Sequence, residues 1–289
     1  MIGVLIQSIN PYQLEIGEKG QVLVKTGQII ETKTGKSVSA KSIARQAKGY
    51  RYILLGESHD HPDHHGLQAE IIHELAKEGR DVVIGLEMFT RPVQNELLAW
   101  SLGWQSESEF IEKSKWKTEW GFDYGLYRPI FEAAKKFKLP LVALNVPRDW
   151  VRKVGREGLA GLTEEQRQEL PKEIDLGNND HRSIFSALMG GHPVTGPRGE
   201  NIYSAQVLWD AGMANTAIKW MSKRSKESIM VIVAGSGHVM YKQGINWRIT
   251  KATGDKTLDV VMIEGDQPQK VSKGISDYVF AAKELKRMP

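Results

Sequence analysis

The sequence predicts an α/β protein with a mainly parallel, twisted sheet and helices on both faces. Short apolar runs of strand length recur along the 289 residues, and most of them end at a glycine or a polar side chain. Segments with helical periodicity separate these runs. No apolar run reaches the roughly 18 residues that a membrane-spanning helix needs. This alternation of buried strands with helices is typical of a parallel sheet covered on both faces.

The predicted strands cover residues 52–55, 81–89, 139–145, 229–234 and 260–264. A helix at 63–78 joins the first two, and this β-α-β unit predicts a parallel pair with a right-handed crossover. Pro62 in the first turn and Asp63 as the N-cap indicate where that helix begins. Further helices are predicted at 39–48, 92–138, 150–168, 179–189 and 203–221. Residues 190–200 are rich in glycine and proline and predict a long mobile loop.

Two regions are predicted. Residues 1–36 contain short β-prone runs broken by glycines and predict a small N-terminal β appendage, while residues 37–289 form the α/β domain. Residues 1–6 are apolar but lack a basic leader and a cleavage site, so no signal peptide is evident. The absence of cysteine excludes disulfides, thiolate metal sites and a cysteine nucleophile. The net charge of +4 is spread along the chain, which argues against nucleic acid as a partner.

Polar side chains follow four of the predicted strands at their carboxyl ends. They are Glu57 with His59, Glu87, Asn145 with Arg148, and His238. If these strands are parallel neighbours, the side chains share one rim of the sheet, where α/β folds bind ligands. Carboxylates with imidazoles suit Zn, Mn, Fe or Ni, and a Glu–His pair also suits general acid–base catalysis. Gly85, Gly235 and Gly237 would let the backbone approach a ligand closely.

Other features allow more than one interpretation. His61, His64 and His65 are expected to be exposed in a loop or in the first turn of a helix, and the stretch from His59 to His65 allows an adventitious metal site. Tyr203, Gln206 and Asp210 share one helix face, which is either exposed to solvent or directed at a site. The many aromatic side chains in 92–138 build either core contacts or an apolar slot for a flat ligand.

The order and spacing of several motifs resemble the ChaN-like family of haem-binding uptake proteins. The matching stretches are Leu-Gly-Glu-Ser-His-Asp from Leu55, Gly-Leu-Glu-Met-Phe from Gly85, Trp-Gly-Phe-Asp-Tyr-Gly-Leu-Tyr-Arg from Trp120, Leu-Asn-Val-Pro-Arg ending at Arg148, Ala-Gln-Val-Leu-Trp-Asp ending at Asp210, and Gly-Ser-Gly-His ending at His238. The wider group includes Tiki/TraB proteins and erythromycin-esterase-like enzymes.

The resemblance implies a cell-envelope protein of iron acquisition, in which tyrosine binds ferric haem at a homodimer interface. Tyrosinate is a hard anionic ligand suited to ferric haem. Tyr203 is the first candidate for the iron ligand, followed by Tyr127 and Tyr124, and His192 is expected to reach across the dimer. Membrane association would occur through a segment that is not present in this sequence.

The relatives in the wider group imply an alternative, a metal-dependent hydrolase. In that reading Glu57 or Glu87 is a general base or metal ligand, and Arg148 stabilises an oxyanion. His59, Glu87 and His238 would hold a divalent metal such as Zn or Mn. A scaffold without either activity is the third interpretation.

Overall fold

A computed structural model of the chain describes residues 9–191 and 194–287. The β-strands are β1 Gln21–Val24, β2 Ile29–Glu31, β3 Ser37–Val38, β4 Tyr52–Glu57, β5 Val82–Thr90, β6 Leu141–Asn145, β7 Ile229–Gly235, β8 Thr257–Glu264, β9 Gln269–Ser272 and β10 Tyr278–Ala282. The α-helices are α1 Ala40–Gln46, α2 Pro62–Lys77, α3 Gln94–Ser101, α4 Glu107–Lys113, α5 Trp116–Glu119, α6 Tyr124–Phe137, α7 Arg148–Glu157, α8 Glu164–Gln168, α9 Asn179–Leu188, α10 Gly196–Met221 and α11 Ile245–Thr253.

The main sheet has eight strands in the order β3-β2-β10-β8-β4-β7-β5-β6. The six strands from β10 to β6 run parallel, and β2 and β3 extend one edge in antiparallel pairing. The predicted fold class, a mainly parallel sheet between helices, is therefore confirmed. The β-α-β unit differs in one detail from its prediction: β4 and β5 are parallel, but β7 lies between them and pairs with both.

Alternate side chains of the central strands belong to two separate hydrophobic cores, one on each face of the sheet. Ile53 and Leu55 of β4 pack on one face of the sheet with residues of α2 and α6. Tyr52 and Leu54 pack on the other face with residues of α10 and α11. Successive strand side chains point to opposite faces, so a strand buried on both sides reads as a continuous apolar run. Fully burying one such aliphatic side chain contributes about 1.5–3 kcal/mol.

The N-terminal β residues are joined to the rest of the fold by strand pairing. β1 pairs with β9 in a small antiparallel sheet, and β2 pairs with β10 at the edge of the main sheet. The predicted boundary at residue 36 stays a prediction, but this segment completes the sheet.

Two helix starts differ from their predictions. The N-cap of α2 is His61, whose ring accepts a hydrogen bond from the backbone N–H of Asp63, so the expected cap at Asp63 is wrong. Helix α10 begins at Gly196 rather than at 203, because Pro197 suits a first-turn position. The predicted loop over 190–200 is correspondingly shorter, and Tyr203 lies in the second turn of a long helix. Within the described part of the chain, none of the helices has the length and apolar character needed to cross a bilayer.

Candidate functional site

The parallel order of four strands brings the predicted rim residues together. β4, β7, β5 and β6 are consecutive neighbours, so their carboxyl ends meet at one edge. Glu57 lies directly opposite Gly235 in the strand register. The backbone N–H of Gly235 donates to Oε2 of Glu87 at 2.6 Å. The structure therefore places Glu57, Glu87, His59 and His238 within one connected group.

Glu57 is the centre of the first hydrogen-bonded cluster. Its Oε1 accepts the Tyr127 hydroxyl at 2.7 Å and lies 2.9 Å from Nδ1 of His59, while Oε2 lies 2.8 Å from Nδ1 of His65. Burial disfavours its ionisation, but the hydrogen bonds from both imidazoles outweigh that effect and lower the pKa of Glu57 to about 2. Glu57 is therefore an ionised carboxylate whose Oε1 accepts from Tyr127 and His59 and whose Oε2 forms an ion pair with His65.

His59 is the one member of this cluster whose side chain is substantially exposed, at 31%. Its Nδ1 is held by Glu57, and its Nε2 has no hydrogen-bond partner among the described residues. The rings of Trp120 and Phe122 contact its imidazole. A carboxylate that orients one ring nitrogen and leaves the other free is the arrangement of a general base or of a ligand-binding histidine.

The second cluster runs from Glu87 into the protein. His238 lies between two carboxylates, with Nε2 3.3 Å from Glu87 and Nδ1 2.5 Å from Asp210. Burial opposes the charging of this imidazole, but Glu87 and Asp210 outweigh burial and raise the pKa of His238 to about 10. His238 is therefore an imidazolium at neutral pH.

Asp210 connects His238 to a more deeply buried pair. Its Oδ2 lies 2.8 Å from Nε2 of His181, and Nδ1 of His181 lies 2.9 Å from the Tyr203 hydroxyl. Burial opposes ionisation of Asp210, but His238 and Arg248 outweigh burial and lower the pKa of this carboxyl. The polar face of α10 is thus directed at the site and not at solvent, which settles the alternative that the sequence left open.

A cavity of about 370 Å³ opens beside both clusters. Its wall includes Tyr12, Glu57, His59, His181, Phe185, Leu188, Met189, Gln206, His238 and Met240. Two of these apolar side chains, Leu188 and Met189, are 43% and 51% exposed. The volume lies in the range of small-molecule sites, and exposed apolar side chains at a cavity mouth mark a binding surface.

Of the other predicted residues, Gly235 and Gly237 line the cavity, whereas Arg148 and Gly85 are not part of its wall. Arg148 begins α7 and forms an ion pair with Glu119 at 3.9 Å, and it is not part of the cavity wall. A Cβ on Gly85 would clash with Leu144 and one on Gly237 would contact Leu188, so these glycines accommodate packed side chains. At Gly235 the close neighbour is the His59 ring, which would lie 2.9 Å from an added Cβ.

The expectation that His61, His64 and His65 are exposed is wrong. All three are at most 1% exposed. His61 caps α2 and lies 2.8 Å from the Lys283 carbonyl, His64 accepts a hydrogen bond from the backbone of Ser58, and His65 pairs with Glu57. Their ring nitrogens serve structural partners, which removes the proposed adventitious metal site.

The three candidate tyrosines are all buried. Tyr127 and Tyr203 have no exposed area, and Tyr124 is 5% exposed. Burial raises the pKa of all three phenols, that of Tyr203 to about 12. Coordination of iron by any of them therefore requires movement of the residues that cover it. His192 lies outside the described residues.

The metal set His59, Glu87 and His238 is not arranged as a metal centre. No group of three or more His, Asp or Glu side chains in residues 9–191 and 194–287 has that arrangement. Both ring nitrogens of His238 already contact carboxylates, Nε2 at 3.3 Å from Glu87 and Nδ1 at 2.5 Å from Asp210.

The sequence indicated Asp210 and Gln206 only as part of a polar helix face and His65 only as an exposed histidine. It did not indicate His181 or Tyr12 as site residues. The spacing of Tyr203, Gln206 and Asp210 on α10 was the available signal for Asp210. Nothing in the local sequence connects His181 to it, because the contact joins two helices.

The fold and the site together define an α/β protein with a histidine- and carboxylate-lined cavity at the carboxyl edge of its sheet. The family described as "Haem-binding uptake, Tiki superfamily, ChaN" matches residues 43–249, and the chain belongs to this family. Membership supports a haem-binding function of the uptake type.

Two solved structures and one curated protein show the extent of similarity. ChaN of Campylobacter jejuni, described by its cofacial heme binding, aligns with a TM-score of 0.66 and 20% identity, covering 89% of this chain and 98% of that one. An erythromycin esterase mutant in its open conformation aligns with a TM-score of 0.47 and 12% identity over 84% of this chain and 77% of that one.

The curated relative is Protein RETICULATA-RELATED 5, chloroplastic, of Arabidopsis thaliana. It is 24% identical over 235 residues, which are 75% of this chain and 31% of that protein. The chain thus spans about a third of the length of that relative.

Proposed function

We propose that the protein binds ferric haem at the mouth of the cavity on the carboxyl edge of the sheet. The observation that carries the proposal is the exposure of Leu188 and Met189 beside a cavity that His59 and His238 line. Exposed apolar side chains suit the macrocycle, the His238 imidazolium suits a propionate, and His59 suits a propionate or iron. Bound haem would be held by these apolar side chains and imidazoles, and it would supply a ferric iron.

The finer parts of the proposal are a tyrosine ligand and a homodimer. Tyr203 remains the first choice because it lies on α10 three residues before Gln206, which lines the cavity. The guanidinium of Arg182 stacks 4.0 Å from its ring and would have to move for the phenol to reach iron. Tyr127 and Tyr124 remain the other candidates. Two copies that face each other through Leu188 and Met189 would cover this apolar surface.

The test is a titration of metal-free protein with ferric haem, followed by visible spectrum and mass in solution. We expect a saturable Soret shift with dimer formation, and loss of both in Met189→Ser. Trp104→Ser is the matched control, because Trp104 is 73% exposed and lies outside the cavity wall. Tyr203→Phe, Tyr127→Phe and Tyr124→Phe then identify the ligand. An absence of any saturable shift in the wild type would reject haem binding.

A second candidate, acid–base hydrolysis, is favoured by the pairing of Glu57 with His59. With Nδ1 held at 2.9 Å from Glu57, the free Nε2 could accept a proton from water, and the His238 imidazolium could stabilise an oxyanion. Arg148, expected in that role, is not part of the cavity wall. The arrangement does not require a metal.

Hydrolysis of p-nitrophenyl acetate tests this candidate. We expect His59→Gln to lower kcat/KM by about a hundredfold or more, as is typical for loss of a general base. His73→Gln is the matched control because His73 is a partly exposed histidine of α2 whose ring contacts Phe137 rather than the cavity. Equal rates in the wild type and His59→Gln would exclude this role for His59.

We also propose a cell-envelope location, which rests on the family's link to uptake. Fractionation of cells that produce the natural full-length protein would test it. Recovery of the protein with cytosolic markers would contradict it.

A further inference from the structure

A second cavity, of about 360 Å³, lies between α10 and α11. Ala211, Ala214 and Ile218 of α10 form one wall, and Trp247 and Ala252 of α11 form part of the other. The small alanine side chains leave the space open, and the walls are mainly apolar. This cavity shares no lining residue with the first cavity, which lies at the carboxyl edge of the sheet.

Arg248 supplies a buried charge to this second cavity. The side chain lines the space and is 8% exposed. Its Nη1 donates to the carbonyls of Gln243 and Gly244 at 3.2 and 2.8 Å. Its Nη2 is buried and has no hydrogen-bond partner among the described residues. Because an unmade buried hydrogen bond of a charged group is costly, an acceptor is expected at this position.

The other polar side chains around the cavity are already matched or lie at its rim. Lys251 pairs with Asp175 at 2.5 Å, and the Asn215 amide donates to the Glu169 carbonyl. Glu173 is exposed at the rim. Lys251 is half exposed, so Arg248 is the buried cation among the described lining residues, and its Nη2 lacks an acceptor.

We infer that this cavity binds a small molecule with an apolar body and one carboxylate, with the carboxylate at Arg248. The alanine and tryptophan walls take the apolar part, and the guanidinium provides the charge-assisted hydrogen bonds. A ligand of this class would also change the electrostatic environment of the histidines in the first site. Nη1 of Arg248 lies 3.5 Å from Oδ2 of Asp210, the carboxylate that holds both His181 and His238.

Calorimetric titration with hexanoate, and with 1-hexanol as the uncharged probe of the same length, tests the inference. We expect hexanoate to bind saturably and at least tenfold more tightly than 1-hexanol. Arg248→Met should remove that difference, and Ala214→Phe, which fills the cavity and retains the guanidinium, should abolish binding of both probes. His73→Gln, in α2 and outside the walls of both cavities, is the control and should leave hexanoate affinity unchanged.

Histidine NMR spectra report the link to the first site. Hexanoate should shift the imidazole signals of His181 and His238 in the wild type and not in Ala214→Phe. If Arg248→Met does not fold, the comparison of the two probes in the wild type and in Ala214→Phe still decides. Equal affinities for the two probes, no saturable binding, or binding that survives Ala214→Phe would each overturn the inference.

Discussion

The imidazole of His238 and the carboxylate of Asp210 form a buried ion pair, with Nδ1 2.5 Å from Oδ1. Asp210 has no exposed area and His238 has 7%. The pair joins the end of β7 to α10, so it fixes one wall of the cavity to the sheet. Its charge state therefore affects both the stability of the fold and the chemistry of the site.

The stability of the protein should fall at alkaline pH through His238. Its folded pKa, about 10, lies above the ordinary value of 6.5. Its stabilising contribution is therefore complete below about pH 6.5, and it is lost as pH rises through 10. Urea unfolding at pH 6 and pH 10.5 measures the difference. We expect the free-energy advantage of the wild type over His238→Gln to shrink at the higher pH, and a constant advantage would contradict the buried imidazolium.

Asp210→Asn should destabilise the protein by about 3–5 kcal/mol, because it leaves His238 and Arg248 without their shared carboxylate. It should also lower the pKa of His238, which NMR titration would detect. Asp180→Asn, at an exposed position in the first turn of α9, should change the unfolding free energy by no more than about 0.5 kcal/mol. Equal effects of the two substitutions would be inconsistent with a structural role for Asp210.

Tyr127→Phe and Tyr124→Phe each remove one buried hydroxyl, but they should change the free energy of unfolding by different amounts or in opposite directions. The Tyr127 hydroxyl donates to ionised Glu57 at 2.7 Å, so its loss should cost about 1.5–3 kcal/mol. The Tyr124 hydroxyl is buried without a hydrogen-bond partner among the described residues, so its loss should be neutral or stabilising. Chemical denaturation of both variants measures this, and a larger loss for Tyr124→Phe would refute the assigned hydrogen bond between Tyr127 and Glu57.

Gly212→Ala should destabilise the protein, since its new Cβ would lie 2.4 Å from Cγ1 of Val146. Overpacking of this kind costs about 1–3 kcal/mol. Gly155→Ala in α7 is the control, because its Cβ would meet only Ala205 at an ordinary 3.8 Å. That change should stabilise the helix by up to about 1 kcal/mol. Thermal unfolding distinguishes the two, and stabilisation by both would show that α10 and the end of β6 are less closely packed.

Zn²⁺ should not bind tightly at His59, Glu87 and His238 near pH 7. Metal ligation requires a deprotonated imidazole, and the raised pKa of His238 keeps this ring protonated at that pH. Calorimetry with Zn²⁺ on the wild type, His59→Ala and His238→Ala measures this, with His73→Ala as the control. Stoichiometric binding that both site variants abolish and His73→Ala retains would restore the metal-dependent alternative.

Local patterns in the sequence were sufficient for the five strands β4 to β8 and for part of the site, but not for β9 and β10. The run from Tyr52 predicts β4, since a strand buried on both faces is a continuous apolar segment. The polar residues after such strands must meet once the strands are parallel neighbours. This is why Glu57, His59, Glu87 and His238 could be grouped before their distances were known. The family resemblance, which the match to residues 43–249 confirms, rests on the same stretches.

Only the tertiary structure decided which side chains pair within the site. Asp210 lies opposite His238, and His65 lies opposite Glu57, because a helix packs over the end of a strand in each case. Arg148 turns to Glu119, and all three candidate tyrosines are buried. Local periodicity specifies which face of an element is apolar, but it carries no information on the distance between residues of different elements. The sequence thus determined the strands β4 to β8 and the rim at their carboxyl ends, and long-range packing determined the charge state and the partners of the rim residues.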